Sequence, residues 1–138
     1  MNMTRIALAS AAAFVAYMAY GFAVFALVPS LKEEFQKYPA VYRAREDLMK
    51  TMPLAMVSTL VELLVLSVLY AMLYRDGPGA LEGLLFGALV GIFSVCNFVI
   101  HNYVNLNVGV KLTVQQAVVY FVQWSLVGLV IGLVYRPS

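Results

Sequence analysis

A chain of 138 residues that is 63% hydrophobic and 12% charged has room for one domain, but too little interior to hide that much apolar surface from water. A soluble globular fold is excluded, and lipid is the natural solvent. With a net charge of +2 and no dense basic run, nucleic-acid binding has no support.

The amino terminus, MNMTR before an apolar run over residues 6–28, has the outline of a secretory signal, with alanines at 11–13 as a cleavage-like site. That run of 23 residues exceeds the roughly 7–15 of a signal's apolar region, so it predicts the first transmembrane helix, closed by Pro29. Three further stretches, over 53–74, 83–105 and 113–135, each approach the ~20 residues that cross a bilayer. Pro53 suits the first turn of the second, and the fourth stops before Arg136 and Pro137. The runs are continuous, without the alternation of a membrane barrel, and predict helices. The expected fold is all-α: a single transmembrane domain over 1–138, folded as an antiparallel four-helix bundle.

Residues 30–52 form the one substantial polar segment, divided by Pro39. Two short interfacial helical turns fit it, with Phe35, Tyr38, Val41, Tyr42 and Leu48 facing lipid or the bundle. The other connections, RDGPG at 75–79 and residues 106–112, are short and force antiparallel neighbours. Tyr70, Tyr74, Tyr103 and Tyr135 fall near helix ends, as an aromatic belt predicts. Six basic residues (Lys32, Lys37, Arg43, Arg45, Lys50, Lys111) lie on the side of the 30–52 segment, against Arg5, Arg75 and Arg136 on the other. The positive-inside rule places that segment in the cytoplasm and both termini outside.

Gly83, Gly87 and Gly91 recur every four residues in the third helix, and Gly128 and Gly132 do so in the fourth, a spacing that lets backbones approach closely. The alanines of the first helix allow the same. The glycine face of the third helix continues through Ser94, Asn97, His101 and Asn105, which predicts a small and polar inner face. Leu85, Leu89, Ile92, Cys96 and Val99 are then left for lipid.

Measured along the helices from the 30–52 side, Tyr20, Glu62, Asn97 and Gln123 come out at one depth, predicting an intramembrane polar layer. Glu62 is the most informative of them. An acid near a helix centre costs about 2.5–3.5 kcal/mol on insertion scales, so it turns inward or lines a wet cavity. It is either interhelical glue, bonded to Gln123 or Asn97, or a proton-, cation- or substrate-linked site. His101, in the polar run HNYVNLN, is a candidate ligand or partner contact together with Asn102, Asn105 and Gln116. The plainer reading is a cap that orders the helix end. Trp124 reads as an internal anchor whose N–H needs a partner. Cys96 is the lone cysteine; with one histidine beside it, no zinc-type cluster is expected. No catalytic residues are assigned, because phosphate loops, nucleophile elbows and paired-histidine motifs are all missing.

YPAVYRAREDLMKTMP, with EGLLFGALVGIFSVCNFVIHNYVNLNVGVKLT and QQAVVYFVQWSLVGLVIGLVYRP, resembles a group of bacterial four-helix membrane proteins of unknown function, HNYVNLN being the most specific part. The resemblance covers most of the chain. It implies a four-helix fold in a bacterial, inner membrane, and brings no activity, cofactor or site.

Three functions compete. A structural or accessory subunit of a membrane complex leads, because extramembrane mass is small; its partners are the bilayer and another membrane protein or a second copy. A small proton- or cation-coupled carrier using Glu62 is the alternative. It resembles small multidrug carriers in length, helix count and a membrane glutamate, but places that glutamate in the second helix and carries a longer first loop. The third is a pigment-, haem- or quinone-binding protein centred on His101.

Overall fold

The structure, a computed structural model, describes residues 1–136, so Pro137 and Ser138 lie outside the described residues. In chain order it contains α1 (Met3–Leu27), α2 (Pro29–Gln36), α3 (Arg45–Leu73) and α4 (Gly79–Ser94). The last continues through a π-helical segment (Val95–Ile100) into α5 (His101–Asn105), and α6 (Val110–Val134) follows. With Gly79–Asn105 taken as one span, four helices are long and apolar enough to cross a membrane. The protein is an all-α, multi-pass four-helix bundle.

Each span starts earlier than hydropathy alone predicts. The largest difference is in α3, expected from residue 53 and beginning at Arg45, with Pro53 inside the helix. Its first two turns are polar and need no hydrocarbon around them, so an apolar window passes over them. Glu46 and Asp47 in the first turn face the positive end of the helix dipole, and Lys50 donates to Asp47 at 2.9 Å. The missing N–H of Pro53 leaves the Met49 carbonyl without its helical donor, which is tolerable where water is near. Of two expected interfacial helical turns, only α2 forms; Leu48 belongs to α3 instead.

The most extensive packing is between α4 and α6, followed by that between α1 and α6 and then that between α1 and α3. The bundle is therefore open on one side, since α3 and α4 are neighbours in sequence yet meet only near their connecting turn. There Asp76 adopts a left-handed φ of 56°, which aspartate tolerates better than most residues. Tyr70 packs edge-on against Phe86 (5.5 Å) and Tyr135 (6.1 Å), and its hydroxyl donates to the Gly79 carbonyl at 3.3 Å. Tyr70 and Tyr135, expected in an aromatic belt, are buried at 3% and 2% exposure and pin this end together.

The α4–α6 seam is made of glycines. Gly79, Gly83, Gly87 and Gly91 are buried along α4, and Gly128 and Gly132 face them from α6. At Gly79, Gly83, Gly87, Gly128 and Gly132 an added Cβ would overlap backbone of the facing helix; at Gly91 it would press on Phe121. Gly79 belongs to the same four-residue series, one step inside the turn.

The polar face of the third span is not continuous beyond Ser94. Val99, expected toward lipid, is buried at 1% exposure, whereas His101 and Asn105, expected inward, are exposed. The π-helical segment holds more residues per turn than an α-helix, and this rotates everything after it around the axis.

A candidate intramembrane cleft

The side chains expected in one polar layer divide into two pairs. The Tyr20 hydroxyl donates to the Val119 carbonyl at 3.0 Å, and Gln123 Nε2 donates to the Tyr17 carbonyl at 3.3 Å. Both bonds hold α1 to α6. Glu62 and Asn97 stand instead on the walls of a cleft of about 500 Å³ between α3 and α4. Among the described residues no hydrogen bond joins Glu62 to Asn97 or Gln123, and no basic side chain pairs with it.

Helical spacing builds this cleft. Glu62, Val65 and Leu66 share one face of α3, while Val90, Phe93, Ser94 and Asn97 share one face of the third span. Tyr120 and Trp124, one turn apart on α6, form the back wall with Tyr17 of α1. Five aromatic side chains therefore line the same cleft as a single carboxyl group: Tyr17, Phe93, Phe98, Tyr120 and Trp124. Phe98 meets Tyr120 edge-on at 5.4 Å, and Tyr17 leans on Trp124 at 5.7 Å. Trp124 is 4% exposed and its indole N–H has no acceptor among the described residues. Because α3 and α4 separate beyond the Tyr70 contact, Glu62 is exposed, and the cleft opens outward between those two helices. Such a site sets one carboxyl group among aromatic side chains in a cleft of small-molecule size.

The other candidate contacts are not gathered into one site. Gln116 is buried and donates to the Tyr42 hydroxyl at 3.5 Å, while Asn102 is half-buried and His101 and Asn105 are exposed. His101 Nδ1 lies 3.0 Å from the Cys96 carbonyl inside the π-helical segment. A carbonyl only accepts, so Nδ1 carries the proton and Nε2 is left as the acceptor. Among the described residues no three His, Cys, Asp or Glu side chains converge as a metal site requires.

At the opposite end of the molecule from Tyr70, the first and third connections are tied together. Glu34, 3% exposed, accepts from Lys37 and, at 3.0 Å, from Lys111. Gly109 N–H donates to the Tyr38 hydroxyl at 2.8 Å, and Gln115 donates to Ser30 at 3.3 Å. The hydrogen bond from Lys37, then that from Lys111, holds the Glu34 carboxyl below its ordinary range, against the opposing effect of burial. Glu34 in turn raises the Lys37 ammonium above its ordinary value.

Sequence reasoning singled out Glu62 and Asn97, but not Tyr17, Phe93, Phe98 and Tyr120, which line the same cleft. Phe93 and Tyr120 stand one helical turn before Asn97 and Trp124, but that spacing has no meaning until the helices are known to adjoin, and Tyr17 and Phe98 carry no such signal. Comparison with protein-family models, curated proteins and solved structures finds no match.

Proposed function

We propose that the protein is a small carrier that takes up a lipophilic organic cation from the bilayer and exchanges it for a proton on Glu62. The carrying observation is the carboxyl group of Glu62, without a basic partner among the described residues, in a cleft lined by five aromatic side chains. Aromatic faces attract a cation through their quadrupole, most strongly where water is excluded, and a carboxylate supplies the compensating charge. The size of the cleft lies within the roughly 300–1,000 Å³ of small-molecule sites. On binding, the carboxylic acid loses its proton and the carboxylate pairs with the cation, so no further reactant is needed.

The test uses the full chain in a mild detergent, with tetraphenylphosphonium as cation and triphenylphosphine oxide as its uncharged counterpart. Binding of the cation releases a proton; the neutral compound releases none. Glu62→Gln abolishes the release and weakens cation binding by at least tenfold. Equal affinity in Glu62→Gln overturns the proposal.

A second reading, an accessory subunit, is favoured by the position of α3, which packs along α1 and leaves its α4-facing side uncovered. A partner's transmembrane helix would then fill the cleft. Purification in mild detergent that yields this chain alone, with no near-stoichiometric companion, counts against it.

A further inference from the structure

We propose that the groove between the end of α1, α2 and the start of α3 holds an anionic phospholipid. The six basic residues at this end of the bundle fall into two sets. Lys37 and Lys111 share Glu34, and Lys50 pairs with Asp47. Lys32, Arg43 and Arg45 have no carboxylate partner among the described residues, and all three line one groove of about 640 Å³. Among the described residues no acidic side chain lines that groove; Phe25, Phe35 and Leu48 form its apolar part.

The placement suits a phospholipid. Phe25 lies in the last turn of a membrane-spanning helix, where an acyl chain would run. Arg43 and Arg45 lie in the polar connection and the first residue of α3, at headgroup level. Two guanidinium groups and an ammonium complement a phosphodiester, which guanidinium binds through paired N–H donors. Basic pockets at the ends of membrane helices recognise anionic headgroups in this way, and each cation near the surface contributes roughly a fivefold gain in binding.

Native mass spectrometry of the full chain tests the site, with phosphatidylglycerol and phosphatidylcholine offered at equal concentration. Phosphatidylglycerol is expected to be retained in preference. Lys32→Gln, Arg43→Gln and Arg45→Gln are each expected to lower that retention roughly fivefold. Lys50→Gln removes an equal but already paired charge and is expected to change nothing. Charge-keeping Arg43→Lys and Arg45→Lys separate loss of charge from loss of fold, and retain the preference. Equal retention of the two lipids, or equal loss in Lys50→Gln, overturns the proposal. Displacement by inorganic phosphate also overturns it, since a free anion lacks the acyl chain that the apolar part of the groove requires. None of these outcomes depends on Glu62.

Discussion

Gly83 and Gly128 meet backbone to backbone: a Cβ added to either would overlap the carbonyl oxygen of the other. Lipid tails compete on equal terms for apolar side chains, so close backbone approach is what favours this helix pair over two separate helices. The Cβ of a Gly128→Ala variant would meet only backbone atoms, of Gly83 and Gly87, and none of these can swing aside. A loss of about 1–3 kcal/mol or more is expected, read as a lowered unfolding midpoint in detergent. Gly21→Ala supplies the contrast, because the nearest atom to its Cβ is Gln123 Nε2 at 3.9 Å. It should be neutral, or stabilising by up to about 1 kcal/mol through helix propensity. Equal destabilisation by the two variants would remove the glycine seam as the main contact.

Ser67 is wholly buried on α3 and its hydroxyl has no partner among the described residues. An unpaired buried hydroxyl is a net penalty, whereas alanine fills nearly the same volume without one. Ser67→Ala is expected to raise stability by about 1 kcal/mol. A clear loss would mean that the hydroxyl is bonded in the bilayer.

The four spans and the glycine series could be read from sequence because both follow from repeating demands, apolar length and close backbone approach. The start of α3 could not. Hydropathy registers only what lies in hydrocarbon, and Pro53 imitates a helix start while Glu46 and Asp47 mark the real one. The π-helical segment has no compositional signature, so the inner face predicted through His101 and Asn105 ended at its beginning. Glu62 stood out through its chemistry alone. The aromatic lining of its cleft needed the adjacency of α1 to α6, which depends on contacts between residues about a hundred positions apart, such as Tyr20 with Val119. The three unpaired cations of the lipid groove were equally hidden, because the partners of the other three, Glu34 and Asp47, had to be located first.

The link between the first and third connections should depend on pH in a predictable direction. The carboxyl of Glu34 titrates below its ordinary value, so its contribution is fully present above the unfolded carboxylate value. That contribution is lost as pH falls through the depressed value. Lys37 titrates above its ordinary value, so its part is present below the unfolded lysine value and is lost as pH rises through the elevated one. Hydrogen exchange at Gly109, whose N–H donates to Tyr38 beside this cluster, reports the link. After correction for intrinsic exchange, its protection should be flat around neutrality and fall in acid. Glu34→Gln should show reduced protection at neutrality and no further acid-induced loss. An unchanged acid profile in that variant would assign the transition to another group.

His101 reaches back onto the π-helical segment that precedes it. Its Nδ1 lies 3.0 Å from the carbonyl of Cys96, five residues earlier, and so supplies a donor to a carbonyl of the widened turn. In the uncharged imidazole the proton must then reside on Nδ1, opposite to the tautomer usual for free histidine in water. Nitrogen-15 NMR of selectively labelled protein in a bilayer distinguishes the two by their shifts. An Nδ1–H tautomer is expected, and an Nε2–H tautomer would break the proposed bond. His101→Phe keeps the bulk but removes the donor, and should cost about 0.5–1.5 kcal/mol, the usual worth of one such bond. His101 is exposed, so a cofactor or partner group that used Nε2 would have to arrive from outside the bundle. Protection of that nitrogen on addition of native lipids or a membrane extract would reveal one.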